Sequence, residues 1–499
     1  MTLEQAIAKM NELQTAQHAY NHAMGVLSLD GDTAAPSASA KGRGETMGYL
    51  SGVTYQLLVN DEVKEALETI LANKESVTPV QVRQAELFKE DYDDSVRIPM
   101  EEYVEYSTLI TQSNAVWHEA KEKNNYASFA PYLEKIINYN RKFAAYKDDK
   151  KPAYDVLLDG FEKGASTATL DPFFGLLREE LSPVIKAVAE KPEPDTSFFQ
   201  QKFALADQRI FSDRLMEMMG LDRNRCGIAE TEHPFTTNFN KWDVRITTHY
   251  NEMDAVDSMY SVIHEGGHAL YELGTADDIQ FTNLASGASM GLHESQSRFY
   301  ENLLGRSRAF VGHIFPKMCE CFPEQMKGYS AEDVFRAINL VKPSLIRTEA
   351  DEVTYCLHVM VRYELEKRIM SDELEVKDLP REWNKLYKEY LGVDVPNDTE
   401  GVLQDSHWSG GSVGYFPSYA LGSAYGAQLL RKMKETVNVE ECLLKGDFTP
   451  INEWNKEHIW KYGCLMNPGE LLEKALGEKF DPFVYTDYLE KKYGEIYGL

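Results

Sequence analysis

VDSMYSVIHEGGHALYELG, residues Val256 to Gly274, carries the pattern that decides the fold. Its positions Met259, Tyr260, Ile263, Gly267 and Leu270 trace one face of a helix, and Gly274 sits where a helix-ending glycine belongs. His264 and His268 stand on that helix. Four residues at about 100° each bring the second histidine to within about 40° of the first and about 6 Å along the axis. Both imidazoles therefore reach one ion. Glu265 is offset by about 100°, too far round to join the pair but placed to touch a water on the ion. Gly266 and Gly267 each cost the helix about 1 kcal/mol relative to alanine. A merely structural helix has little reason to keep them, whereas close approach of a neighbouring element or a substrate is reason enough.

A hydrolytic zinc-type centre needs three protein ligands and an open place for water, so two histidines leave one ligand to find. The next periodic segment, GLHESQSRFYENLL from Gly291 to Leu304, reads as a second amphipathic helix through Leu292, Phe299, Leu303 and Leu304. The loop between them contains Gly274, Gly287 and Gly291 and can reverse the chain. Two antiparallel helices then present His264, His268 and Glu294 to one point. On spacing alone His293 is an alternative ligand, and Glu294 can equally be a solvated carboxylate on a helix surface.

Outward from this pair, most of the chain repeats the same spacing, as in Leu3, Ile7, Met10, Leu13 and in Val104, Tyr106, Leu109, Ile110, so the class is mainly α. LSLDGDTAAPSASAKGR, Leu27 to Arg43, reads as a loop, and KPEPDT, Lys191 to Thr196, as a surface break. Cys226 to Tyr250 alternates β-branched and aromatic residues and predicts a small antiparallel hairpin with its turn at Asn238 to Lys241. Neither break shifts composition enough to mark a domain boundary, so one large domain of two lobes, residues 1–499, and two to four smaller units both stay open on length alone. A net charge of −28 repels phosphate backbones and acidic membrane surfaces, which argues against nucleic acid as ligand. No apolar run is long enough to span a bilayer, and the start MTLEQAIAKMNELQ lacks the pattern of a secretion signal, so a cytoplasmic protein is expected. The six scattered cysteines fit reduced thiols.

Six ordered motifs now come together: HPF at His233 to Phe235, DVRIT at Asp243 to Thr247, HEGGH at His264 to His268, HESQS at His293 to Ser297, IRTEAD at Ile346 to Asp351 and GVLQDSHW at Gly401 to Trp408. In order and spacing they resemble the thermostable carboxypeptidase Taq family, the metallocarboxypeptidases of peptidase family M32. Asp30, Thr33, Pro36 and Arg43 are similar to that family's N-terminal signature, with Leu29 where a tryptophan is usual. The resemblance implies a neurolysin-like helical fold divided by a deep substrate groove, a small sheet beside the metal-binding helix, and a homodimer. It implies Glu294 as the third ligand and zinc, or cobalt, as the ion. Arg298 stands where thermolysin-like enzymes place an aspartate four residues after that glutamate, so the outer carboxylate must come from elsewhere, with Asp351 as the candidate.

Hydrolysis of a peptide bond follows, with Glu265 accepting the water's proton and returning one to the leaving amine. The oxyanion needs a second donor, for which His407 and Tyr415 are the candidates. A free C-terminal carboxylate calls for an arginine fork. Arg347 and Arg245 resemble the family's groove-blocking and carboxylate-reading positions, with Arg347 favoured as the primary anchor and His233 beside the substrate. Two rivals stand against removal of single residues with broad specificity: an endo-acting oligopeptidase on the same fold, and a non-catalytic helical scaffold with a structural metal. The retained Glu265, which a structural site does not require, speaks against the scaffold.

Overall fold

The helical spacing read from the sequence is realised along nearly the whole chain, in 20 α-helices joined mostly by short turns. The structure is a computed structural model and describes residues 1–499. No helix is long and apolar enough to cross a membrane. All six cysteines are free thiols.

The first helix, Leu3–Thr33, runs through residues that the sequence reads as loop. Only Ala34 to Pro36 leave helical structure before a short turn, Ser37–Ser39, and the next helix, Ala40–Leu58. Small residues misled because they serve packing here. A side chain at Gly31 would stand 2.6 Å from the Arg43 guanidinium, so the glycine lets that arginine lie across the turn. The break at Lys191 to Thr196 is present, between the helix Thr167–Ala189 and the turn Ser197–Gln200.

The expected hairpin is present and larger than expected. Strands β1 (Cys226–Glu230), β2 (Thr236–Asn240) and β3 (Asp243–Thr248) form one sheet in the order β1-β3-β2. β2 and β3 pair antiparallel, with a register irregularity between Asn238 and Asn240 that moves the turn to Lys241 and Trp242. β1 lies parallel to β3 on its other edge, so the sheet is mixed rather than antiparallel. Thr236 and Asn238 share a sheet face with Ile246 and Val244; Arg245 points to the other face.

Asp254 caps the HEGGH helix, Ala255–Leu273, by accepting the Asp257 N–H. The HESQS helix, Met290–Arg298, is capped by Ser289 and widens into a π-helical turn, Phe299–Leu304. Both belong to a continuous core of 96 buried residues, whereas Met10, Leu67, Phe88 and their neighbours form a separate core of 11 under the N-terminal helices.

Candidate metal centre

Glycines let three helices approach closely enough to bring the donors together. A Cβ on Gly267 would stand 2.6 Å from the Gln296 carbonyl oxygen and 2.8 Å from Ser297 Cα, so the HEGGH helix touches the backbone of the HESQS helix. From the other side the helix Pro417–Met433 presents Gly422, where a Cβ would stand 2.6 Å from Glu294 Cβ. The nearest atoms to a Cβ on Gly266 would be side-chain atoms of Met219 and Leu221.

The ligand atoms of His264, His268 and Glu294 lie within 4.8 Å of one another. Glu294 Oε2 is 3.9 Å from His264 Nε2 and 3.7 Å from His268 Nε2. Outer partners decide which ring nitrogens face inward. His264 Nδ1 lies 2.7 Å from Glu301 Oε2 and donates to it, so Nε2 keeps its lone pair for the centre. His268 Nδ1 lies 3.0 Å from His293 Nδ1, and His293 Nε2 lies 2.6 Å from Glu272 Oε1. With His293 donating to the carboxylate, its Nδ1 accepts from His268, and His268 Nε2 is likewise free. Glu272 also accepts from Asn238, Ser286 Oγ and the Gly287 N–H. His293 is therefore placed between His268 and Glu272, with both ring nitrogens engaged, and is outside the His264, His268 and Glu294 cluster.

Asp351 is not the outer carboxylate. It accepts the N–H groups of Lys342, Val353 and Thr354 and the Thr354 hydroxyl, and so closes a turn. Glu301 takes that place, seven residues beyond Glu294 and thus on the same side two turns on. Arg298 lies between them, with Nε 2.7 Å from Glu294 Oε1 and Nη1 3.1 Å from Glu301 Oε2.

Burial pushes His264 down, but the Glu294 and Glu301 carboxylates outweigh it and lift the imidazole to about 9, so at neutral pH an incoming cation has to displace the Nε2 proton to reach that lone pair. Burial, with His293, His264 and Arg298 beside it, drives His268 well below the usual range. Burial opposes charge on Glu301 too, yet Arg298 and His264 hold it down at about 2. Two inward nitrogen lone pairs and one carboxylate oxygen, set among further carboxylates, form a donor set suited to one divalent cation of the zinc class. Glu265 lies beside it, its Oε2 accepting from Thr236 Oγ1 at 2.6 Å. Burial raises its carboxyl above the ordinary range, against the pull of His264 and Thr236.

The IRTEAD and QDSHW motifs lock each other. Arg347 Nε and Nη2 lie 3.0 and 2.9 Å from Asp405 Oδ1, and Nη1 donates to the Tyr355 hydroxyl at 2.9 Å. Arg362 adds a second cation at 2.7 Å from Asp405 Oδ2. Arg347, expected as the primary anchor, thus has its fork turned to Asp405 and is buried. Trp408 Nε1 and the Gly414 N–H both donate to the buried Glu366, which ties the loop to the helix Tyr355–Met370.

His407 Nε2 lies 3.1 Å from the Tyr419 hydroxyl, and its Nδ1 is buried without a partner. Burial and the nearby arginines, against Asp405, bring His407 down to about 4, so it is neutral at pH 7. The Tyr415 ring lies tilted against His407 with centroids 5.5 Å apart, and burial with the Glu294 charge nearby raises its hydroxyl. Arg245 is paired with Asp243 at 2.8 Å and lies over the Phe239 ring. The His233 side chain is exposed, and its carbonyl accepts from Thr231. These two do not contact the ligand cluster.

The family model described as carboxypeptidase Taq (M32) metallopeptidase matches residues 9–493. The protein named Carboxypeptidase 1 of Bacillus subtilis is 41% identical over 482 residues, covering 96% of each chain. Thermostable carboxypeptidase 1 of Pyrococcus furiosus is 36% identical over 502 residues, covering 99% of this chain and 98% of its own. The crystal structure of an M32 carboxypeptidase from Deinococcus radiodurans superposes with a TM-score of 0.96 at 34% identity, over 99% of this chain and all of that one.

Proposed function

Because the chain belongs to the carboxypeptidase Taq (M32) metallopeptidases and so is a metal-dependent carboxypeptidase, we propose that His264, His268 and Glu294 hold its single divalent ion. Zinc fits this donor set best, with cobalt as a working substitute. The convergence of these donors around inward-facing lone pairs is the observation that carries the reading.

The ion, when bound, polarises the scissile carbonyl and makes a water acidic enough to lose its proton near neutral pH. Glu265 takes that proton and later delivers one to the leaving amine. Its raised affinity for protons suits both steps, and Thr236 holds Oε2 so that Oε1 is left to face the water. The Tyr415 hydroxyl donates to the developing oxyanion, with neutral His407 and Tyr419 packed behind it. Arg245, more exposed than Arg347, reads the substrate carboxylate by exchanging it for Asp243, while His233 lies along the path of the peptide. Arg347, cross-linked through Asp405 to Arg362, holds the wall that ends the groove. This reverses the order of the two arginines favoured from the motifs.

Residues 1–499 act as one catalytic unit of two lobes, paired as a homodimer. Six free thiols suit a reducing compartment such as the cytoplasm. The test uses one peptide with a free C-terminus and the same peptide amidated. Release of single residues in order from the free end, none from the amide, and loss of turnover in Glu265→Gln with metal retained is the expected outcome. Equal cleavage of both peptides assigns an endopeptidase instead, and an active Glu265→Gln removes the general-base role.

A further inference from the structure

Arg298 sits at the position where the sequence departs from thermolysin-like enzymes, and it touches both sides of the ligand set. Its Nε donates to Glu294 Oε1 at 2.7 Å, and its Nη1 to Glu301 Oε2 at 3.1 Å. The Tyr355 ring lies 4.2 Å beneath the guanidinium, and the side chain is only 14% exposed. Glu294 cannot retreat from this grip, because the Gly422 backbone walls its Cβ.

We propose that Arg298 is a positioning residue that restricts Glu294 to ligation through one oxygen and so keeps a coordination place open for water. The inference rests on the reading of Glu294 as the third ligand. A carboxylate with both oxygens free is able to chelate a divalent ion and occupy the place that water needs. Here Oε1 is taken by the arginine, and Oε2 is the oxygen that faces His264 Nε2 and His268 Nε2. The same planar fork reaches Glu301, the partner of His264, so one side chain sets the orientation of two ligands. Lysine carries the charge but not the fork.

The experiment compares the cobalt-loaded enzyme with Arg298→Gln, Arg298→Lys and Glu294→Gln by visible absorption, cobalt affinity in chelator competition, and steady-state kinetics. Arg298→Gln is expected to bind cobalt with absorption weakened at least about twofold as the coordination number rises. Its kcat should fall about 10- to 100-fold with KM little changed. Arg298→Lys should shift the spectrum in the same direction, and it carries the test if the glutamine variant does not fold. An unchanged spectrum with kcat within about threefold of wild type in Arg298→Gln overturns the proposal, as does full recovery of both by lysine. Glu294→Gln separates the two readings: wild-type cobalt affinity there removes Glu294 as a ligand, whatever Arg298 does.

Discussion

At the scale of single residues, burial without an opposing cation leaves one carboxyl unusually protonated. Glu162 lies at the start of the HESQS helix, where its Oε2 accepts the Gly291 N–H at 3.0 Å and its Oε1 the Tyr425 hydroxyl at 3.3 Å. Burial is the largest influence on it and exceeds the help of Ser289, Gly291 and Tyr425, so the carboxyl is raised from 4.5 to about 7. A carboxyl raised on folding stabilises the fold fully below its ordinary value, and that contribution is lost as pH climbs through the folded value. Glu162 therefore costs stability between about pH 4.5 and 7, on the order of 3 kcal/mol at full ionisation. Glu162→Gln should gain on wild type as pH rises from 5 to 8, read from denaturant midpoints at both pH values; a difference that does not change with pH would refute the assignment. Glu162 was invisible in the sequence because its burial comes from helices more than a hundred residues away. Glu301 was within reach, since seven residues from Glu294 is two helical turns, but nothing local distinguishes it from a solvated helix carboxylate. His264, Glu265 and His268 were legible because their geometry is set by helix periodicity alone.

At the scale of elements, the contact between the HEGGH and HESQS helices is set by Gly267, and this makes two adjacent glycines behave differently. Either glycine replaced by alanine gains about 1 kcal/mol of helix propensity. At Gly266 the new methyl meets the end of the flexible Met219 side chain, which can move. At Gly267 it meets backbone atoms of Gln296 and Ser297, and a whole helix must shift. Overpacking of that kind costs about 1 to 3 kcal/mol and outweighs the propensity gain. Because Glu294 rides on the displaced helix, Gly267→Ala should lose metal affinity about tenfold or more while Gly266→Ala stays near wild type. Chelator competition on the two variants decides it, and equal affinities would show that the contact does not place Glu294. The sequence raised the question of these glycines without saying which neighbour each one admits. The helix Leu3–Thr33 shows the opposite error: glycine, serine and alanine read as loop where they instead allow Arg43 to pack. The parallel strand β1 was unreadable because its pairing with β3 depends on a reversal through Thr231 to Phe235 that no local pattern announces.

At the scale of the molecule, the ligands come from two helices of the large core, while the N-terminal helices keep a small core of their own. An ion bound only by the native arrangement stabilises it by RT ln(1 + [L]/Kd), about 4 kcal/mol at a thousandfold excess over Kd. That stabilisation should not be uniform. Its largest effect falls on the segments that the ion joins, the HEGGH helix, the Thr275 to Ser289 loop held through Glu272, and the HESQS helix with its π-helical turn. The layer built on Met10, Leu67, Ile70 and Phe88 makes its own hydrophobic contacts and loses none of them when the ion leaves. Amide hydrogen exchange on metal-loaded and chelated protein should therefore show faster exchange across residues 255–304 and little change across residues 3–97. The same chelation should lower the thermal midpoint. Uniform acceleration over the whole chain would mean that the two cores unfold as one unit; acceleration confined to the N-terminal layer would place the ion elsewhere. The first pattern is the one expected if His264, His268 and Glu294 share one ion, which adds a direct tie between the HEGGH and HESQS helices to the links already made through Glu301, Arg298 and His293.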